Sequence, residues 1–204
     1  MVLSVFDIDK LFRIYDHSYN DVRKGQENEY AYNFLNELCQ DNLSNITCIK
    51  GVIFSSRDMA KNSVLKMSHI QSQGHFAYFQ LDLGSATVQI IDTLSTDFST
   101  SPYFCERTFK NLFSFITRVV TGNRSTSYRS LKQTLYSRTS FRQKSNECGI
   151  TSLMNLILST ENSTTFLTTY SIENYDRSID NFKSCLRFLL VNGSFPFHSI
   201  KIEQ

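Results

Sequence analysis

The chain has 204 residues, 41% hydrophobic, 13% aromatic and 20% charged, with a formal net charge of +2. That length and apolar content suit a single domain spanning residues 1–204 with a substantial core, and with only two Pro a folded globular protein is expected. No apolar run approaches the ~20 residues needed to span a bilayer, and the odd count of five cysteines with scattered spacing argues for a reducing compartment.

In chain order, the N-terminus Met-Val-Leu-Ser-Val-Phe-Asp lacks the basic stretch and long apolar run of a signal peptide, so an intracellular, cytoplasmic or nuclear location is expected. Residues 1–27 are assigned to no element; covering a groove and contributing an edge strand both fit. Residues 28–40, with Tyr30, Phe34, Leu35 and Leu38, predict an amphipathic helix, and Ile49 to Phe54 a short strand. His75 to Leu83 and Ala86 to Asp92 flank Gly84-Ser85 and predict an antiparallel hairpin. A helix is predicted over 102–120, from Pro102 as a first-turn residue through Phe109, Leu112, Phe113, Ile116 and Val120. Residues 131–137 predict a strand. A helix follows from Cys148, with Ile150, Leu153, Met154, Leu156 and Ile157 at helical spacing, and a last helix over about 172–190 stops before Gly193. These elements make an α+β domain with a small central mixed sheet.

The chemistry concentrates at Cys148. At the first turn of its helix, unpaired N–H groups and the positive dipole end favour thiolate over thiol. Gly149 would let a substrate backbone approach the sulfur closely. The hairpin carries His75 at its start and Asp92 at its end, which brings both to one end of the sheet. An acid beside a histidine fixes its tautomer and leaves the other ring nitrogen for a thiol proton, so a Cys-His-Asp site is expected. His17, His69 and His198 precede no such strand pair, and Cys39 and Cys48 lack the short paired spacing of a zinc site. Neither metal nor cofactor is expected.

His75-Phe76, Asp92, Gln143 and Glu147-Cys148-Gly149, in that order, resemble the pattern of the ubiquitin-like-protein-specific cysteine proteases, the SUMO-protease superfamily, over residues 28–190. The resemblance implies a papain-like cysteine-protease fold of the SUMO-protease type. It also implies cleavage after the C-terminal glycine of ubiquitin or a SUMO-type modifier through a thioester. By it, Cys148 is the nucleophile, His75 the general base, Asp92 its orienter and Gln143 a side-chain donor to the oxyanion. An oxyanion donor held in place before reaction is typically worth about 3 to 4 kcal/mol, and the backbone N–H of Cys148 would be a second one. The chain has no Trp, and Phe76 stands where the family places an indole over the modifier's Gly-Gly tail. The segment around Cys148 is also similar to that of the YopJ-type acetyltransferase effectors, which implies an alternative: acetyl transfer by the same three residues in a host-cell cytosol.

Between Arg107 and Asn146 there is no acidic residue but nine basic ones: Arg107, Lys110, Arg118, Arg124, Arg129, Lys132, Arg138, Arg142 and Lys144. Such a stretch attracts an acidic or phosphorylated ligand. The acidic face of a ubiquitin-like protein is the expected partner. Without an accompanying aromatic recognition motif nucleic acid is not expected, and a non-catalytic binding module is a minor alternative.

Overall fold

The computed structural model describes residues 1–40, 42–56, 74–95, 97–122, 131–138, 146–160 and 175–193. Its strands β1 (Val2–Leu3), β2 (Cys48–Ser56), β3 (Gly74–Asp82), β4 (Thr87–Asp92) and β5 (Gln133–Arg138) form one sheet in that order. The inner pairs β2–β3 and β3–β4 are antiparallel, whereas β1 and β5 join the two edges parallel to their neighbours. The α-helices are α1 (Val5–Tyr15), α2 (Glu27–Leu38), α3 (Glu106–Gly122), α4 (Cys148–Thr160) and α5 (Tyr175–Asn192). This is the expected α+β class with a mixed central sheet.

Alternation along the strands sorts side chains to two layers. Ala77, Phe79 and Leu81 of β3, with Val88 and Ile90 of β4, enter a large apolar cluster with α1, α2 and α3. Phe113 of α3 packs on Phe79 there, ring centroids 4.9 Å apart. On the other face Tyr78 and Ile91 meet Leu156 of α4. A small satellite cluster of Met154, Ile179 and Phe182 ties α4 to α5.

Residues 1–27 hold an edge strand and a helix. In α1 the Ser4 hydroxyl accepts from the Asp7 N–H at 3.2 Å while Asp7 accepts from the Ser4 N–H at 2.7 Å, a reciprocal cap that satisfies two orphan donors. Ile8, Leu11, Phe12 and Ile14 face the core. β1 approaches β2 so closely that a Cβ on Gly51 would stand 2.4 Å from the Leu3 carbonyl and 2.7 Å from the Phe79 ring. Only glycine fits there.

Two expectations need correction. In α2 Leu35 is buried beside Ala31, and Tyr30 and Phe34 pack against the core as expected, but Leu38 is exposed at the last turn. α3 starts at Glu106 rather than at Pro102. The Ser101 hydroxyl accepts from the N–H groups of Tyr103 and Phe104, and the Ser55 hydroxyl donates to the Tyr103 carbonyl at 2.6 Å, which holds this stretch as a turn against the sheet. The last helix, described over Tyr175–Asn192, stops before Gly193 as expected, and Gly193 takes a φ of 72° and donates to the Leu189 carbonyl. Among the described residues, no helix is long and apolar enough to cross a membrane.

Candidate active site

The antiparallel pairing of β3 with β4 puts the first residues of one strand beside the last of the other. His75 and Asp92 therefore share one end of the sheet, each only 1% exposed, and His75 Nε2 is hydrogen-bonded to Asp92 Oδ1. With Nε2 committed to the carboxylate, Nδ1 is the nitrogen left for a thiol. Cys148, 8% exposed, opens α4 in the opposite layer. Its sulfur meets hydrogen-bonding groups from the His75 ring and from the backbone N–H groups of Phe76 and Gly149. The two layers thus meet where the sheet ends.

The electrostatics favour separated charge. Burial works against the His75 imidazolium, but hydrogen bonds to Asp92 and Cys148, with their negative charges, outweigh it and push the imidazole up to about 9. Burial likewise works against a Cys148 thiolate, and the His75 hydrogen bond together with the Phe76 and Gly149 N–H groups more than offsets it, so the thiol is brought below its ordinary value. Asp92 is also held below the usual carboxylate range: burial opposes this, and His75, the Tyr136 hydroxyl and the Leu94 N–H at 2.9 Å prevail. Such a site favours a thiolate–imidazolium pair, a competent nucleophile with a proton beside it.

Phe76 is half-buried, and its ring lies against Gly149, 3.5 Å from where a Cβ would be, and packs on Phe54 at 4.7 Å. Gly74 is pinned under the Phe54 ring, where no side chain fits. Thus His75, Phe76, Asp92, Cys148 and Gly149 lie together. Gln143 lies outside the described residues, as do Arg124, Arg129, Arg142 and Lys144. Arg107, Lys110 and Arg118 are exposed on α3, in the layer across the sheet from α4.

Several contributors escaped the sequence reading. The Tyr136 hydroxyl of β5 donates to Asp92 Oδ2. Tyr103 and Phe104 pack on the imidazole at 5.2 and 5.7 Å between ring centroids. The Thr151 hydroxyl lies 3.0 Å from the carbonyls of Glu147 and Cys148, bracing the first turn of α4, and Lys183 of α5 reaches Glu147 at 3.4 Å. The signal for Tyr136 was an aromatic residue inside the strand that feeds the cysteine loop; which strand β5 pairs with was not legible.

No protein-family model and no curated protein sequence matches this chain. Among solved structures it is similar to the SUMO protease Ulp1 with its catalytic cysteine oxidised to a sulfenic acid, at TM-score 0.50 and 14% identity over 93% of this chain and 79% of that one. It is also similar to the Ulp1 form with a sulfonic acid, at TM-score 0.49 and 14% identity over 93% and 79% of the two chains. A third is the C-terminal Ulp1 protease domain in complex with Smt3, the yeast orthologue of SUMO, at TM-score 0.43 and 15% identity over 81% and 69%. Five-stranded mixed sheet, flanking helices and the first of these likenesses agree: the chain has a fold of the SUMO-protease type.

Proposed function

We propose that the protein is a cysteine peptidase that cleaves ubiquitin or a SUMO-type modifier, as precursor or conjugate, after its C-terminal glycine. The observation that carries this reading is the hydrogen-bonded set His75, Asp92 and Cys148, with the sulfur at a helix N-terminus. In this mechanism the Cys148 thiolate attacks the glycine carbonyl, and the Cys148 N–H and Gln143 amide stabilise the oxyanion. The imidazolium of His75 gives its proton to the departing amine as the C–N bond breaks, leaving a thioester. His75 then takes a proton from water, whose hydroxyl releases the modifier and returns the sulfur.

Phe76 supports the choice of substrate. Its ring lies 3.5 Å from where a Cβ on Gly149 would be, so it borders the backbone next to the sulfur. An extended diglycine tail has no side chain to clash with such a ring, and the ring face covers its backbone. SUMO is the substrate named for the similar Ulp1 structures.

The test is mass spectrometry of the protein and of Cys148→Ala after exposure to ubiquitin, SUMO and related modifiers bearing C-terminal electrophiles. One adduct that requires Cys148 is the expected result and names the modifier. No adduct with any probe, and acetylation of Cys148 by acetyl-CoA instead, would replace the peptidase by an acetyltransferase.

A further inference from the structure

We propose that Tyr136 is a positioning residue of this site, fixing the plane of the Asp92 carboxylate so that Oδ1 is kept for His75. The inference rests on the roles of His75, Asp92 and Cys148 proposed above. β5 lies parallel to β4, with Ile90 opposite Tyr136 and Asp92 opposite Arg138, so Tyr136 and Asp92 are diagonal neighbours on adjacent strands. The two carboxylate oxygens are divided between partners. Oδ1 takes the His75 ring and the Leu94 N–H at 2.9 Å, while Oδ2 takes the Tyr136 hydroxyl.

That division matters because the terminal torsion of an aspartate is a broad, roughly two-fold rotor. Anchored through one oxygen, the carboxylate could swing and offer His75 a misdirected lone pair; anchored through both, it cannot. Water is a poor substitute, since Asp92 is 1% exposed. The phenol is itself held, with Phe98 at 4.5 Å and Phe104 at 6.4 Å between ring centroids, and Phe104 touches the imidazole. Burial and the adjacent Asp92 charge push the Tyr136 hydroxyl well above its ordinary value, so it stays a donor across the working range.

Tyr136→Phe keeps the ring and deletes the donor. A lost hydrogen bond to a charged group predicts roughly a tenfold fall in kcat, with KM unchanged. In an Asp92→Asn background the same substitution should change kcat less than about twofold, because the two act as one unit. A merely structural tyrosine would lower the melting midpoint and leave the folded enzyme's kcat alone. Wild-type kcat in Tyr136→Phe, or the same tenfold fall with Asp92→Asn already present, overturns the proposal. If Tyr136→Phe does not fold, Phe98→Leu, which loosens the ring but keeps the hydroxyl, decides: a lower kcat at unchanged KM supports the proposal and an unchanged kcat overturns it. Alkylation of Cys148 by iodoacetamide at neutral pH separates this from the peptidase reading. If wild-type protein turns over no modifier, the peptidase reading fails, and slower Cys148 alkylation in Tyr136→Phe still supports the positioning role whereas an unchanged rate overturns it.

Discussion

The two faces of the sheet are built on different principles. One is covered by α1, α2 and α3 and holds most of the buried apolar side chains, from Leu3 to Leu131, in one continuous cluster. The other is covered by α4, with α5 packed on α4; among the described residues its apolar clusters are small, and it buries Thr151, Ser152, Asn155 and Ser159 along the cysteine helix. There the Tyr78 hydroxyl lies 3.0 Å from both Gln80 Oε1 and Ser159 Oγ, and Lys50 donates to the Ser159 carbonyl. Apolar packing is non-directional, while hydrogen bonds fix distance and angle. The first face supplies cohesion; the second sets where the cysteine helix sits.

If that division is right, damage to each face should read out differently. The largest effect expected is from Cys148→Ala, which should reduce modifier hydrolysis to background while leaving the thermal midpoint within about 3 °C of wild type. A large drop in that midpoint would mean the sulfur is structural. Asp92→Asn comes next. It should lower kcat by on the order of 10³ to 10⁴ in steady-state assays, as loss of the orienting carboxylate does in other triads, and unchanged kinetics would remove Asp92 from the site.

Phe113→Ala, on the cohesive face, should cost about 3 to 5 kcal/mol in urea unfolding. Cys148 in the molecules still folded should alkylate at the wild-type rate. A slowed rate there would show that the faces are not separable. On a smaller scale, the alkaline limb of kcat/KM should fall as His75 loses its proton near pH 9, where it can no longer protonate the leaving amine. A limb near pH 6.5 would mean the Asp92 and Cys148 contacts do not hold the imidazolium. Smallest is Tyr78→Phe, expected to cost about 1 kcal/mol of stability through its lost hydroxyl contacts; no change in unfolding would make the Tyr78–Ser159 contact incidental.

What could be read from the sequence follows the same division. The hairpin carrying His75 and Asp92 was legible because two aromatic and β-branched runs around Gly84-Ser85 are a local pattern, and Cys148 because its helix begins where the apolar period begins. Tyr136 was not: its contact with Asp92 spans 44 positions and depends on β5 joining β4 in parallel, which no local pattern specifies. Pro102 misled because it sits ahead of a helical period, whereas the Ser101 hydroxyl holds a turn there and delays the helix to Glu106. Residues 1–27 hid a helix whose signal was present, a Ser4-x-x-Asp7 cap ahead of Ile8, Leu11 and Phe12. Gln143 falls outside the described residues, and its role rests on the resemblance alone.

The pairing of Cys148 with His75 has a consequence for how folding is linked to protons. Unfolded, a histidine titrates near ~6.5 and a cysteine near ~8.5. Because His75 is raised on folding, its contribution to stability is complete below the unfolded value and is lost as pH rises through about 9. Because Cys148 is lowered, its contribution runs the other way: present above the unfolded thiol value and lost as pH falls through the depressed one. At a pH above both the depressed Cys148 value and the unfolded histidine value, and below the unfolded thiol value, the unfolded chain carries one proton on the cysteine and the folded chain carries one on the histidine, so the pair exchanges no net proton with solvent on folding. Charge separation inside the protein is therefore nearly invisible to a stability-versus-pH curve over that interval. It is visible to any electrophile that reaches the sulfur.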